Sequence, residues 1–268
     1  MAESASVPWD AGEYDAVASI QERWGARLIE RIPWVPDAVV LDAGCGSGRL
    51  LPQLLGRIPQ GALVAADVDA GMLREAQQRY RALRSAVPVT FVAADLGQRE
   101  LPPELVPGHF DLVFSNAVLH WIRDKIRLFG NLNRLLKPGG ALHAEFGGDK
   151  NLQRTRAAAY RAARNLGLSD ALAQAFSGYA FQAASDTKEQ LKLTGFRNVS
   201  VVEHVQVEEF PDEAAYLRFC TPVVFRLLKA SLTPEQWDGF SREFAAQAYA
   251  LHGGWKLDYV RQTIQAEK

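Results

Sequence analysis

The chain of 268 residues is 48% hydrophobic and 23% charged, the balance of an ordinary folded protein with room for one large α/β domain or a domain and a modest cap. Lys and Arg number 30 against 31 Asp and Glu, a formal net charge of -1, so nothing in the sum draws the chain to nucleic acid or to an anionic membrane. The two cysteines, Cys45 and Cys220, provide neither a disulfide framework nor a metal-ligand spacing. Met1 to Pro8 lacks the basic and apolar regions of a secretion signal and no run is apolar for long enough to span a bilayer, so a cytoplasmic protein is expected.

In chain order, Val17, Ile20, Trp24, Leu28 and Ile32 recur at helical spacing and predict a helix over 14–31, ended by Pro33 and Pro36. Val39 to Ala43 reads as a buried parallel strand carrying Asp42, and it breaks into Gly44, Gly46 and Gly48. Such a turn has room for a flat, extended ligand against the main chain. The dinucleotide fingerprint needs its third glycine where Arg49 stands, and the Walker loop needs a lysine that is absent. A helix over 49–58 with Pro52 in its first turn leads to a strand over 61–67 ending on Asp67. That acid stands about 20 residues beyond the glycine turn, where a Rossmann-type site holds ribose hydroxyls.

Asp69 is placed to cap a helix over 72–83, followed by a strand over 89–93 and the turn Ala94-Asp95-Leu96. Phe110 to Asn116 is a fourth buried strand that opens into polar residues at its carboxyl end, the ligand-binding end of open α/β sheets. A helix over 125–136 stops at Lys137-Pro138-Gly139-Gly140, and a strand over 141–146 carries Glu145 towards the mouth of the site. A carboxylate there repels an anionic substrate unless it is paired. Residues 151–193 read as a helical cap, Gly195-Phe196 turns into a sixth strand, 212–251 is helical with Trp237, Phe240, Phe244 and Tyr249 as bulk, and 259–266 alternates as a last strand.

Asp42-x-Gly44-x-Gly46-x-Gly48 resembles the first motif of the class I S-adenosylmethionine-dependent methyltransferases. Asp67 to Leu73, Phe110 to Trp121 and Arg134 to Gly140 are similar to later motifs of that family, so the resemblance runs from Val39 to Gly140. More loosely, Tyr14 to Gln21 resembles the cap helix of the trans-aconitate and malonyl-carrier-protein carboxyl O-methyltransferases. The resemblance implies a Rossmann-like, seven-stranded, mostly parallel sheet with an antiparallel last strand and helical cap segments. A single domain over 1–268 is expected, with an N-terminal cap helix in 1–35, a cofactor-binding core in 36–146, a cap in 147–193, and a sheet edge in 194–268 with a helical insertion over 212–251.

By the same resemblance, Asp42, Gly44, Cys45, Gly46 and Gly48 cradle S-adenosylmethionine, Asp67 takes its ribose, and Val68 and Met72 lie at the adenine. Asp95, flanked by Ala94 and Leu96, accepts from the adenine amino group, Ser115, Asn116 and Ala117 line the methionine end, and Tyr14 and Gln21 close over the ligand. Tyr14, His120, Trp121 and Glu145 are the candidate substrate contacts. His120 is either a base or a donor that shapes the pocket; the latter is favoured because related carboxyl-methylating enzymes carry Gln there. The implied activity is methyl transfer to a small molecule, foremost at a carboxylate oxygen, for which Tyr14, Arg123 and Arg154 are candidate partners. Methylation at carbon or nitrogen of a specialised metabolite and a non-catalytic cofactor-binding regulator or partner subunit stand as alternatives. No metal, nucleic-acid or membrane partner is expected, and the oligomeric state is not read from the chain.

Overall fold

The computed structural model describes residues 19–268; Tyr14 lies outside them. Seven strands form one sheet in the order β3-β2-β1-β4-β5-β7-β6: β1 (Val39–Ala43), β2 (Ala62–Asp67), β3 (Val89–Ala93), β4 (Phe110–Asn116), β5 (Leu136–Gly147), β6 (Arg197–Glu209) and β7 (Lys256–Glu267). The first five pair in parallel, whereas β7 runs antiparallel to both β5 and β6. The strand order reverses between β1 and β4, and ligands bind outside the carboxyl ends of the strands at such a crevice.

Alternation along the central strands builds two cores. Leu41, Val64 and Val113 face one way, against Leu128, Phe129 and Leu132 of α4 (Lys125–Leu135) and Leu191 of α7 (Ala184–Leu193). Val40, Leu63 and Leu112 face the other way, against α1 (Ser19–Glu30), α2 (Leu51–Arg57) and α3 (Ala70–Leu83). A third core belongs to the cap. It joins α5 (Gln153–Asn165), α6 (Ser169–Phe176), α8 (Glu213–Val223), α9 (Arg226–Ser231) and α10 (Pro234–His252) with Trp24 of α1 and Leu257 and Tyr259 of β7.

The last three strands are longer than their spacing suggests. β5 begins at Leu136, where Leu136 pairs with Phe110 before a register shift. The β6–β7 ladder continues to Glu209 and Lys256 as an arm towards the cap. No helix among the described residues is long and apolar enough to cross a membrane.

Candidate active site

A cleft of about 310 Å³ opens at the crevice between β1 and β4. Its floor is the glycine turn. Gly44 and Cys45 N–H groups donate to the Ala66 carbonyl at 2.8 and 2.9 Å, which ties the turn to the end of β2. Gly44 has φ +90°, and a Cβ there would lie 2.3 Å from Val118, so only glycine fits. At Gly46, with φ +54°, an added Cβ would meet nothing within 4 Å; here the bare main chain faces open space.

Asp67 holds this geometry with both oxygens: Oδ2 accepts from the Gly46 N–H and Oδ1 from the Asp69 N–H, each at 2.9 Å. Asp69 in turn caps α3, accepting from Gly71 and Met72 N–H groups at 2.7 and 3.0 Å, as its position suggested. Behind the turn Asp42 is only 3% exposed. Burial, reinforced by the Asp67 charge, pushes its carboxyl up to about 8, and burial raises Asp67 as well.

Val68, Met72, Ala94, Asp95 and Leu96 form one end of the cleft, and Asn116, Ala117 and Trp121 the other. Ala117 adopts φ +62°, a costly conformation for a residue with a Cβ and one that concentrates at functional sites; its N–H donates to the Glu145 carbonyl at 2.7 Å. Over the top lies α1, whose Gln21 and Glu22 line the cleft. Asn116 Nδ2 donates to the Gln21 carbonyl at 2.9 Å, and Arg49 binds Glu22 at 2.6 Å. Gly25 allows this close seat, since a Cβ there would lie 2.3 Å from Leu50 Cδ1.

Six expected residues stand elsewhere. Gly48 lies under the cleft, where a Cβ would press on Leu51 and Ala76 at 2.7 and 2.9 Å, so it serves the packing of α2 on α3. Ser115 is fully buried and donates to the Ala43 carbonyl at 2.7 Å, a bridge between strands. His120 sits outside the lining, among Trp121, Tyr179 and Phe181. Its Nδ1 accepts from the Gly147 N–H at 3.4 Å, and burial, with Arg261 and Lys125 nearby, holds the ring well below its usual pKa. Glu145 is drawn into a buried pair: Arg261 Nε lies 3.2 Å from Oε1 and Thr263 Oγ1 donates to Oε2 at 3.0 Å. Arg123 and Arg154 are exposed and line no part of the cleft.

Sequence reasoning passed over Arg226, which reaches the cleft from α9. Its only sequence signal is a cation beside the apolar run Val223-Val224-Phe225 in the insertion.

Residues 41–142 match the family described as a methyltransferase domain. Among curated proteins, the chain is 39% identical over 134 residues to a trans-aconitate 2-methyltransferase of Methylobacterium nodulans, covering 50% of this chain and 48% of that protein. It is 30% identical over 210 residues to a malonyl-[acyl-carrier protein] O-methyltransferase of Geobacter sulfurreducens, covering 78% of this chain and 74% of that one. The chain belongs to the class I S-adenosylmethionine-dependent methyltransferases. Within that family, several of the curated relatives are matched over about half their length. The fold of a Haemonchus contortus phosphoethanolamine N-methyltransferase 2 in complex with S-adenosyl-L-methionine is similar, with a TM-score of 0.61 at 20% identity, covering 96% of this chain and 56% of that one.

The residues present fit the methyltransferase cofactor. Two buried carboxylates, Asp42 and Asp67, are both costly to ionise, Asp42 through burial and the Asp67 charge and Asp67 chiefly through burial, and are suited to a ligand with a sulfonium and an ammonium group. Open space over Gly46 admits a chain along the backbone. Gln21 Oε1 is buried with no hydrogen-bond partner among the described residues, a polar atom that a ligand donor would satisfy.

Proposed function

We propose that the protein transfers the methyl group of S-adenosylmethionine to a small molecule at a carboxylate oxygen. One observation carries the choice of acceptor: among the described residues, no side chain at the acceptor end is poised to take a proton. His120, the candidate base, is packed away from the cleft with Nδ1 engaged and its pKa depressed. A carboxylate is already ionised at neutral pH and needs only to be held in line, so proximity and orientation suffice. The names of the relatives, a trans-aconitate 2-methyltransferase and malonyl-[acyl-carrier protein] O-methyltransferases, support the same reading.

When bound, the cofactor supplies an electrophilic methyl on a positively charged sulfur. The chain's own part is to hold and shield it. Asp67 remains able to accept from ribose hydroxyls through lone pairs its two N–H partners leave open. Asp42 and Gln21 Oε1 face the cofactor's polar groups, Asp95 takes the adenine amino group, and α1 covers the cleft to exclude water. Trp121 and the neighbouring aromatic rings bound the acceptor end. Glu145 does not repel an anionic acceptor, because Arg261 neutralises it.

The test is an acceptor screen with isotopically labelled S-adenosylmethionine and base treatment of the products. Label released by mild alkali marks a methyl ester and supports the reading. Label retained on nitrogen or carbon, with carboxylic acids inert, overturns it.

A further inference from the structure

The sheet ends on one side at β3, 5 residues long, and on the other at β6, 13 residues long. An edge strand presents unpaired N–H and carbonyl groups along its outer side, and shortness, proline or lysine commonly protects it. β3 is protected by its shortness. β6 has none of the three: Arg197 to Glu209 holds neither proline nor lysine. A register shift marks its start, but from Ser200 to Glu209 its ladder to β7 is regular.

The two faces of β6 differ along its length. Glu208 turns towards α1, where it binds Arg23 at 2.8 Å. On the other face Val201 packs against the core that contains Leu191 of α7, but further along that face Val205 and Val207 are 72% and 51% exposed. The charge in the middle of the strand is turned inward. Glu203 Oε2 accepts from Gln262 Nε2 at 3.2 Å and stands 2.9 Å from where a Gly148 Cβ would lie, so this carboxylate reaches back across β7 to the end of β5. The outer edge is left with open main-chain groups and bare valines.

We propose that β6 is the contact through which two copies of this chain pair, edge to edge and antiparallel, about a two-fold axis at Glu203. The occupant is a second copy because the strand complements itself. About that axis Val201 lies opposite Val205 of the second copy and Ser200 opposite Gln206. The Arg197 end of one strand meets the Glu209 end of the other, so unlike charges face each other at both ends. Moving the axis by one residue in either direction sets Glu203 opposite a valine. The rotation also lays Val205 and Val207 beside the α7 that flanks Val201 in the second copy, so the covered half of each strand shelters the bare half of the other. The contact is isologous and uses up the long edge, which stops assembly at the dimer.

The test uses the full chain in sedimentation equilibrium over a range of concentrations. The wild type is expected to show a monomer–dimer equilibrium in the micromolar range, as befits a contact smaller than an obligate interface. Val205→Lys abolishes the dimer and leaves thermal midpoint and S-adenosylhomocysteine affinity unchanged, which separates loss of pairing from loss of fold. Val35→Lys, at a valine 57% exposed elsewhere, leaves the dimer intact. Oxidation reads the register. Glu203→Cys forms an intermolecular disulfide, because residues on the axis stand about 4.5–5.5 Å apart between Cα atoms. Val205→Cys does not, since four residues of offset along the strands hold the two copies of that position about 14 Å apart. A wild type that stays monomeric throughout overturns the proposal. So does a dimer that Val205→Lys leaves intact, or one in which Val205→Cys crosslinks and Glu203→Cys does not.

Discussion

Two places at the carboxyl edge of the sheet bury acid in opposite ways. At the ends of β1 and β2, Asp42 and Asp67 lie close together with no base bonded to either among the described residues. At the ends of β5 and β7, Glu145 is closed off by the Arg261 guanidinium and the Thr263 hydroxyl. That guanidinium also stacks over the Trp24 ring at 4.2 Å and reaches Asn116 Oδ1 at 3.4 Å. The second site carries its own counter-charge and ties α1 to the sheet; the first carries none among the described residues and, on the proposed reading, takes it from the cofactor. One is architecture and the other is binding.

Breaking the architectural pair has the largest expected effect. Arg261→Met strands Glu145 as a buried, uncompensated charge and lowers unfolding free energy by about 3–5 kcal/mol in denaturant titrations. Adding Glu145→Leu restores most of that loss. Next comes Asp67→Ala, which weakens S-adenosylhomocysteine by about 1–3 kcal/mol in calorimetry because bound hydroxyls lose their acceptor; unchanged affinity would count against the assignment of Asp67.

The third prediction concerns pH. In the ligand-free protein the Asp42 carboxyl titrates near 8 against 3.8 unfolded. Between those values the folded state holds a proton that the unfolded state has released, so stability falls as pH rises from about 4 to about 8, by at most about 1.4 kcal/mol per unit for this group. A cationic ligand prefers the ionised acid, so cofactor affinity rises over the same interval as the proton is expelled. Calorimetry in buffers of differing ionisation enthalpy detects that proton, and Asp42→Asn flattens both dependences. The smallest effect is at the exposed end of the lid: Glu22→Gln removes the partly exposed Arg49 pair and costs at most about 1 kcal/mol of stability.

Chemistry and order along the chain were legible where both are local. The turn from Asp42 to Gly48, the cap at Asp69, the strand over 89–93 and the polar opening after Phe114 all depend on neighbours within a few residues, and the cleft gathers most of the residues they nominate. Glu145 was misplaced because its fate depends on Arg261, 116 positions away, which no local pattern reveals. Gly48 and Ser115 belong to the right motifs, yet they serve helix packing and strand bridging beneath the cleft. The ends of β6 and β7 were missed because the exposed arm carries Val202, Val205 and Val207 at 57%, 72% and 51% exposure, so no buried stripe marks its length. Arg226 escaped notice since a lone arginine in a helical insertion reads as a solvated face until the fold turns it inward.

The β6–β7 arm has a further consequence. Its last rung pairs Glu209 with Lys256, and just beyond it the Phe210 N–H donates to the Trp255 carbonyl at 2.8 Å. The whole insertion between them leaves and rejoins the sheet at one spot, so its ends meet whatever its length, and closing a longer loop adds little entropy. The block carrying Arg226 therefore enters and leaves the sheet at one point and is otherwise held by the core it shares with α5, α6 and Trp24 of α1, so a foreign helical segment spliced between 210 and 255 is accommodated only where it repeats that packing face.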